Sequence, residues 1–168
     1  LTWSSIGAGN GYYVIATNSS NCTATSNSVN VVTTANPVAL VLSGSIICVS
    51  PGNDGIIKST TSQGGVNYQL YNSSGTPVQG VKAGTGSGLT WSSLPAGNAY
   101  YVEAVNSGGC TSTSNLVNIT TTPNPAALVL TRSTICVSPG GNGTITSSAS
   151  VSGVTYQLYN SGNNPVQA

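Results

Sequence analysis

Side chains that ordinarily do chemistry are few in this sequence. There are four cysteines (Cys22, Cys48, Cys110, Cys136), two carboxylates (Asp54, Glu103), three cations (Lys58, Lys82, Arg132) and no histidine. A general acid–base or nucleophilic site needs a titratable group poised beside its nucleophile. Here the two carboxylates are far apart in sequence, and the abundant serines and threonines have nothing to activate them, so no enzymatic activity is expected. Asp54 in Pro51-Gly52-Asn53-Asp54-Gly55 sits in a turn of the kind calcium loops use. Calcium takes six to eight oxygens, usually from several carboxylates, and no partner carboxylates are at hand. No metal or cofactor is expected. The cysteines carry neither a Cys-x-x-Cys spacing nor histidine partners, so they read as disulfide formers and imply an oxidising, extracellular setting.

The spacing of these residues comes from an internal repeat. Cys22 returns as Cys110 and Cys48 as Cys136, both 88 residues on. Leu1-Thr2-Trp3-Ser4-Ser5 returns as Leu89-Thr90-Trp91-Ser92-Ser93, and Tyr68-Gln69-Leu70-Tyr71-Asn72 as Tyr156-Gln157-Leu158-Tyr159-Asn160. Residues 1–80 and 89–168 agree at 51 of 80 positions. A fixed period of this length signals an array of domain-sized units. Duplication at such fidelity suits length, reach and multivalency better than catalysis.

Composition narrows the partners. Charged residues make up 3% of the chain and the net charge is +1, which excludes the basic groove that nucleic acid requires. Near-neutrality also removes repulsion between copies and favours self-association. The chain is 38% hydrophobic, and its Val, Ile, Leu and Tyr recur in short runs, which favours a folded β protein over a disordered linker. No run is long enough to insert into a membrane.

The elements that must position the cysteines and tyrosines are strands. Apolar or alternating runs appear at 39–42, 55–60, 66–71, 77–81, 89–91, 99–105 and 114–121, separated by Gly, Pro and Asn turns. Seven short strands without helical periodicity predict an all-β fold: tandem immunoglobulin-like or fibronectin-III-like β-sandwich repeats of 88 residues. Residues 37–122 would be one complete repeat, 1–34 the closing strands E, F and G of another, and 125–168 the opening strands A, B and C of a third. The two end pieces are complementary halves, and neither can bury a core alone. A chain that starts inside a repeat without Met is expected to be a window on, or a processed product of, a tandem polymer, or else a strand-exchanging subunit. The joints Asn36-Pro37 and Pro123-Asn124-Pro125 predict stiff stacking of units.

Facing follows from alternation. Glu103 should point to water, so Tyr100, Val102 and Ala104 face inward and Tyr101 and Val105 outward. Val66, Tyr68 and Leu70 face inward and Tyr71 outward. Strands C and F are neighbours in such a fold. Tyr71 and Tyr101, with Tyr13 and Tyr159 at the equivalent positions, are therefore the candidate contact surface, either as cross-strand packing or for a sugar or a neighbouring filament. Trp3 and Trp91 share a strand face with Leu1 and Leu89 and read as core anchors. Leu94-Pro95-Ala96-Gly97-Asn98-Ala99-Tyr100 resembles the E–F turn of fibronectin-III domains, closed by a tyrosine corner.

The cysteines admit three connectivities. Cys48–Cys110 closes one repeat; Cys22–Cys48 with Cys110–Cys136 links adjacent ones; or Cys48 joins the G-strand cysteine of the unit that follows. Cys48–Cys110 is preferred because each unit would then be self-contained.

Ile47-Cys48-Val49-Ser50-Pro51-Gly52-Asn53-Asp54-Gly55, Leu94-Pro95-Ala96-Gly97-Asn98-Ala99-Tyr100 and Gly109-Cys110-Thr111 together resemble the Ig-like repeats of SprB-type surface adhesins of gliding Bacteroidetes. The resemblance implies export to the cell surface, tandem repetition, and adhesion or filament formation. The expected function is a structural repeat segment of a secreted surface filament or giant adhesin. Its partners would be further copies of itself, head to tail and laterally, and a surface or glycan ligand. The alternative is a polysaccharide-binding module that uses the outward tyrosines.

Overall fold

The computed structural model describes residues 1–138 and 141–166. Of the expected third segment, residues 139, 140, 167 and 168 lie outside the described ones. Among the described residues every regular element is a strand. The opening segment carries β1 (Gly9–Tyr12), β2 (Ile15–Thr17), β3 (Thr23–Thr25) and β4 (Val29–Val31). The middle carries β5 (Leu42–Gly44), β6 (Ile46–Cys48), β7 (Gly55–Thr61), β8 (Val66–Tyr71), β9 (Lys82–Ala83), β10 (Gly88–Leu94), β11 (Gly97–Asn106), β12 (Thr111–Thr113) and β13 (Val117–Thr122). The last segment carries β14 (Leu130–Arg132) and β15 (Ile145–Ser147). The chain divides into two compact units, Leu1–Ile47 with Gly52–Thr121, and Cys48–Pro51 with the residues from Thr122 onward.

Within the first unit two sheets face each other. One is ordered β10-β7-β5; the other is ordered β6-β13-β11-β8-β9, with β12 also on β11. All the neighbouring pairs whose register is resolved are antiparallel. Leu42, Ile57, Leu89, Trp91 and Leu94 from the first sheet meet Ile47, Tyr68, Leu70, Tyr100, Val102 and Ile119 from the second in one buried cluster. This is an immunoglobulin-like sandwich. The alternation along β8 and β11 is as the sequence predicts: Val66, Tyr68 and Leu70, and Tyr100, Val102 and Ala104, are the buried members.

The middle region has nine strands where the sequence suggested seven, because the first and the last strand are each broken in two. The first strand is displaced from the expected 39–42 to β5 and then changes sheets: Leu42–Gly44 pairs with β7, while Ile46–Cys48 lies on β13. Gly44 makes the crossing feasible, since a Cβ there would collide with the backbone carbonyl of Asn118. The last strand is interrupted between β12 and β13. The break frees Asn115, which accepts the Leu42 N–H (2.7 Å) and donates to the Leu42 carbonyl (3.2 Å). An amide side chain thus imitates a strand neighbour and ties β5 to the opposite sheet.

Elsewhere local pairing is present without a core. In the opening segment β1 pairs with β4 (Gly9 opposite Val31, Tyr12 opposite Val29) and β2 with β3. These are the registers of β11 with β13 and β12, shifted by one repeat. In the second unit β14 pairs with β15, with Leu130 opposite Ser147, which repeats β5 on β7.

Candidate contact surface

Tyr71 and Tyr101 lie directly opposite each other on β8 and β11. Their rings stack with centroids 5.3 Å apart and planes 17° from parallel. Each ring therefore covers one face of the other, the arrangement expected of a favourable aromatic pair. A shallow dip beside them is lined by Asn67, Gln69, Tyr71, Val81, Glu103 and Val105. Tyr13 and Tyr159, the repeat equivalents of Tyr101 and Tyr71, are both exposed. The structure brings together one pair of the four predicted tyrosines and leaves the other two without ring partners among the described residues.

Tyr100 forms the tyrosine corner. Its hydroxyl donates to the Pro95 carbonyl at 3.1 Å, and Tyr12 repeats this to Gly7 at 3.0 Å. Burial pushes the Tyr100 phenol up from its ordinary value, because the ionised form would lose its water. Trp91 is fully buried. Its indole N–H has no hydrogen-bond partner among the described residues, and the Lys82 ammonium lies 6.0 Å from the ring centroid, within cation–π range.

The larger exposed apolar surface is one the tyrosine pattern alone did not mark. In the opening segment Trp3, Ile6, Tyr12, Val14, Val29 and Val31 line an open concavity. Trp3 is 60% exposed where Trp91 is 0%, and Tyr12 is 40% exposed where Tyr100 is 4%. The last segment mirrors this: Ile145 is 55% exposed where Ile57 is 0%.

The cysteines are free thiols; Cys110 is half-buried and the other three are exposed. The preferred Cys48–Cys110 bridge is not formed, and strand geometry explains why. β6 lies on the Thr120 side of β13, where the Thr120 N–H meets the Ser45 carbonyl, near the Gly97 end of β11. Cys110 follows the other end of β11, next to Thr111 opposite Val105. Eight residue steps along a strand cover roughly 26 Å, far beyond the roughly 7 Å limit between bridged Cα atoms.

Sequence reasoning overlooked a set of asparagines. Asn106, Asn115 and Asn124 each fix a loop or a joint through paired side-chain bonds. All three are identical to their repeat equivalents Asn18, Asn27 and Asn36 while many neighbours drift. That persistence was the available signal.

Comparison with known families shows a match over the middle of the chain. The family described as an Ig-like domain, CHU_C associated, aligns with residues 35–123, more than half of the 168-residue chain. No curated protein matches the chain. With a closed two-sheet sandwich over the matched stretch, this chain belongs to the CHU_C-associated family of Ig-like domains.

Proposed function

We propose that the chain is a repeat segment of a secreted cell-surface filament or giant adhesin, giving extension and attachment. The observation that carries this reading is the repetition of one fold: β1 with β4 and β2 with β3 keep the registers of β11 with β13 and β12, and β14 with β15 keeps that of β5 with β7. The opening segment presents Trp3, Ile6 and Tyr12, and the last segment presents Leu130, Ile145 and Tyr156, on surfaces whose repeat equivalents are buried in the middle repeat. The occupant that fits the first face is the set of strands that fits its equivalent in the middle repeat: strands A, B and C of the same sequence, supplied by a second copy. Completion would bring Tyr13 of one copy onto Tyr159 of another, as Tyr101 lies on Tyr71. The two faces differ, so a contact between them is heterologous and propagates end to end rather than closing a dimer. The SprB-type resemblance and an extracellular location agree with such an assembly.

The glycan-binding reading is less well supported, since Tyr71 and Tyr101 already cover one face of each other and the dip beside them is shallow. The test is electron microscopy of the purified chain at rising concentration under reducing conditions. Unbranched filaments are expected. Particles that stay at the size of one copy would overturn the proposal.

A further inference from the structure

We propose that the cysteines bridge consecutive units across their joints, each opening cysteine bonding the closing cysteine of the unit that follows. Between copies, Cys48 pairs with Cys22 of the next copy, and Cys136 with Cys110 of the next copy. This rests on the end-to-end assembly above and adds to it a covalent lock.

The chain contains two joints that are the same sequence position one repeat apart: Thr34 corresponds to Thr122, and Asn36 to Asn124. Each shows one side of the contact. At the first joint the Cys110 Sγ lies 3.4 Å from the Thr34 carbonyl oxygen, and the Asn106 side chain donates to the Ala35 carbonyl at 2.8 Å. A closing cysteine therefore rests on the joint that enters its own repeat. At the second joint the Val49 N–H donates to the Thr122 carbonyl at 3.0 Å. The Ser50 N–H donates to Asn124 Oδ1 at 3.1 Å, and Asn124 Nδ2 donates back to the Ser50 carbonyl at 2.8 Å. The residues after an opening cysteine therefore rest on the joint that leaves its repeat.

The Thr34 and Thr122 carbonyls are the same atom in successive repeats. Where units follow one another, one carbonyl is approached by the backbone next to the opening cysteine of the preceding unit and by the Sγ of the closing cysteine of the following unit. The two cysteines are thereby brought to the same joint, where a disulfide can form if their Cα atoms come within about 7 Å. Burial agrees: Cys110, packed against Thr34, is half-buried, while Cys22, Cys48 and Cys136 are exposed.

The oxidant is a disulfide, either a small-molecule one or that of an oxidoreductase. One protein thiolate attacks it and releases a thiol, giving a mixed disulfide. The second protein thiolate displaces the remaining oxidant sulfur. Two protein thiols are oxidised and one oxidant disulfide is reduced to two thiols, which carry away the two protons.

The test mixes equal amounts of isotopically labelled and unlabelled chain at high concentration with oxidised glutathione, followed by a non-reducing gel and peptide mapping. We expect a ladder that reductant abolishes, and hybrid labelled–unlabelled peptides joining Cys22 to Cys48 and Cys110 to Cys136. The double variant Cys22→Ser/Cys136→Ser keeps Cys48 and Cys110, and is expected to show two free thiols and no ladder. A Cys48–Cys110 peptide, or filaments whose thiols stay free under oxidant, overturns the bridge and leaves the assembly standing. Absence of both filaments and hybrid peptides overturns both.

Discussion

The middle repeat and the two flanking segments share a sequence but not a fate. β11 and β13 pair in the same register as β1 and β4, one repeat apart, and β5 and β7 pair as β14 and β15 do. Trp91 is nevertheless fully buried while Trp3 is exposed. Strand pairing is thus encoded within each short stretch, through its alternation and its turns. Burial is not, because a sheet with one apolar face needs a second sheet against it. A sheet face of this kind is stabilised only when a second sheet covers it, so the strands that complete it set the free energy of assembly.

Substituting the two tryptophans sharpens that contrast most. Trp91→Ala removes the largest fully buried side chain and should cost the middle repeat about 3–5 kcal/mol, read as a lower denaturant midpoint. Trp3→Ala should leave that midpoint unchanged and abolish filament formation. The asparagine clamp comes next. Asn115→Ala leaves the Leu42 N–H and carbonyl without their partner and should cost about 1–3 kcal/mol. Its equivalent Asn27→Ala should weaken only association, seen as a higher critical concentration.

Alkaline titration separates the regions by a smaller margin. Because burial raises the Tyr100 phenol in the folded state, its contribution is fully present below the ordinary tyrosine value of about 10. It is lost as pH rises through the folded value, while the unfolded chain ionises more readily. The denaturant midpoint of the middle repeat should fall above that pH, and Tyr100→Phe should blunt the fall.

The smallest effect concerns a place where the repeat departs from itself. Gly44 passes so close to the Asn118 carbonyl that no Cβ fits, yet its equivalent is Arg132. A unit completed from two copies must open slightly there, between Arg132 and Asn30 of the other copy. Arg132→Gly should tighten assembly by a few-fold, measured as a lower critical concentration.

Much of this was legible from residues alone. The facing of Tyr68, Tyr100 and Val102, the corner at Tyr100 and the opposition of Tyr71 and Tyr101 all follow from alternation and turn chemistry. The change of sheet at Gly44 and the clamp by Asn115 were not legible, since both depend on contacts across the sandwich between residues far apart in sequence. The cysteine pairing misled for a related reason. Self-containment of each repeat was a topological preference, and the length of β11 between Cys48 and Cys110 decides against it. Thr122 and Asn124 instead bond the residues just after Cys48, a contact that sequence spacing did not mark.

The most direct measurement of the central claim is acrylamide quenching of the chain's two tryptophans as a function of concentration, under reducing conditions. In dilute solution about half the fluorescence should be readily quenched, from Trp3 exposed and Trp91 buried. As concentration rises the accessible fraction should fall toward zero as Trp3 is covered by a second copy. A Trp3 that stays fully quenchable at every concentration, in a chain whose middle repeat remains folded, would contradict the account.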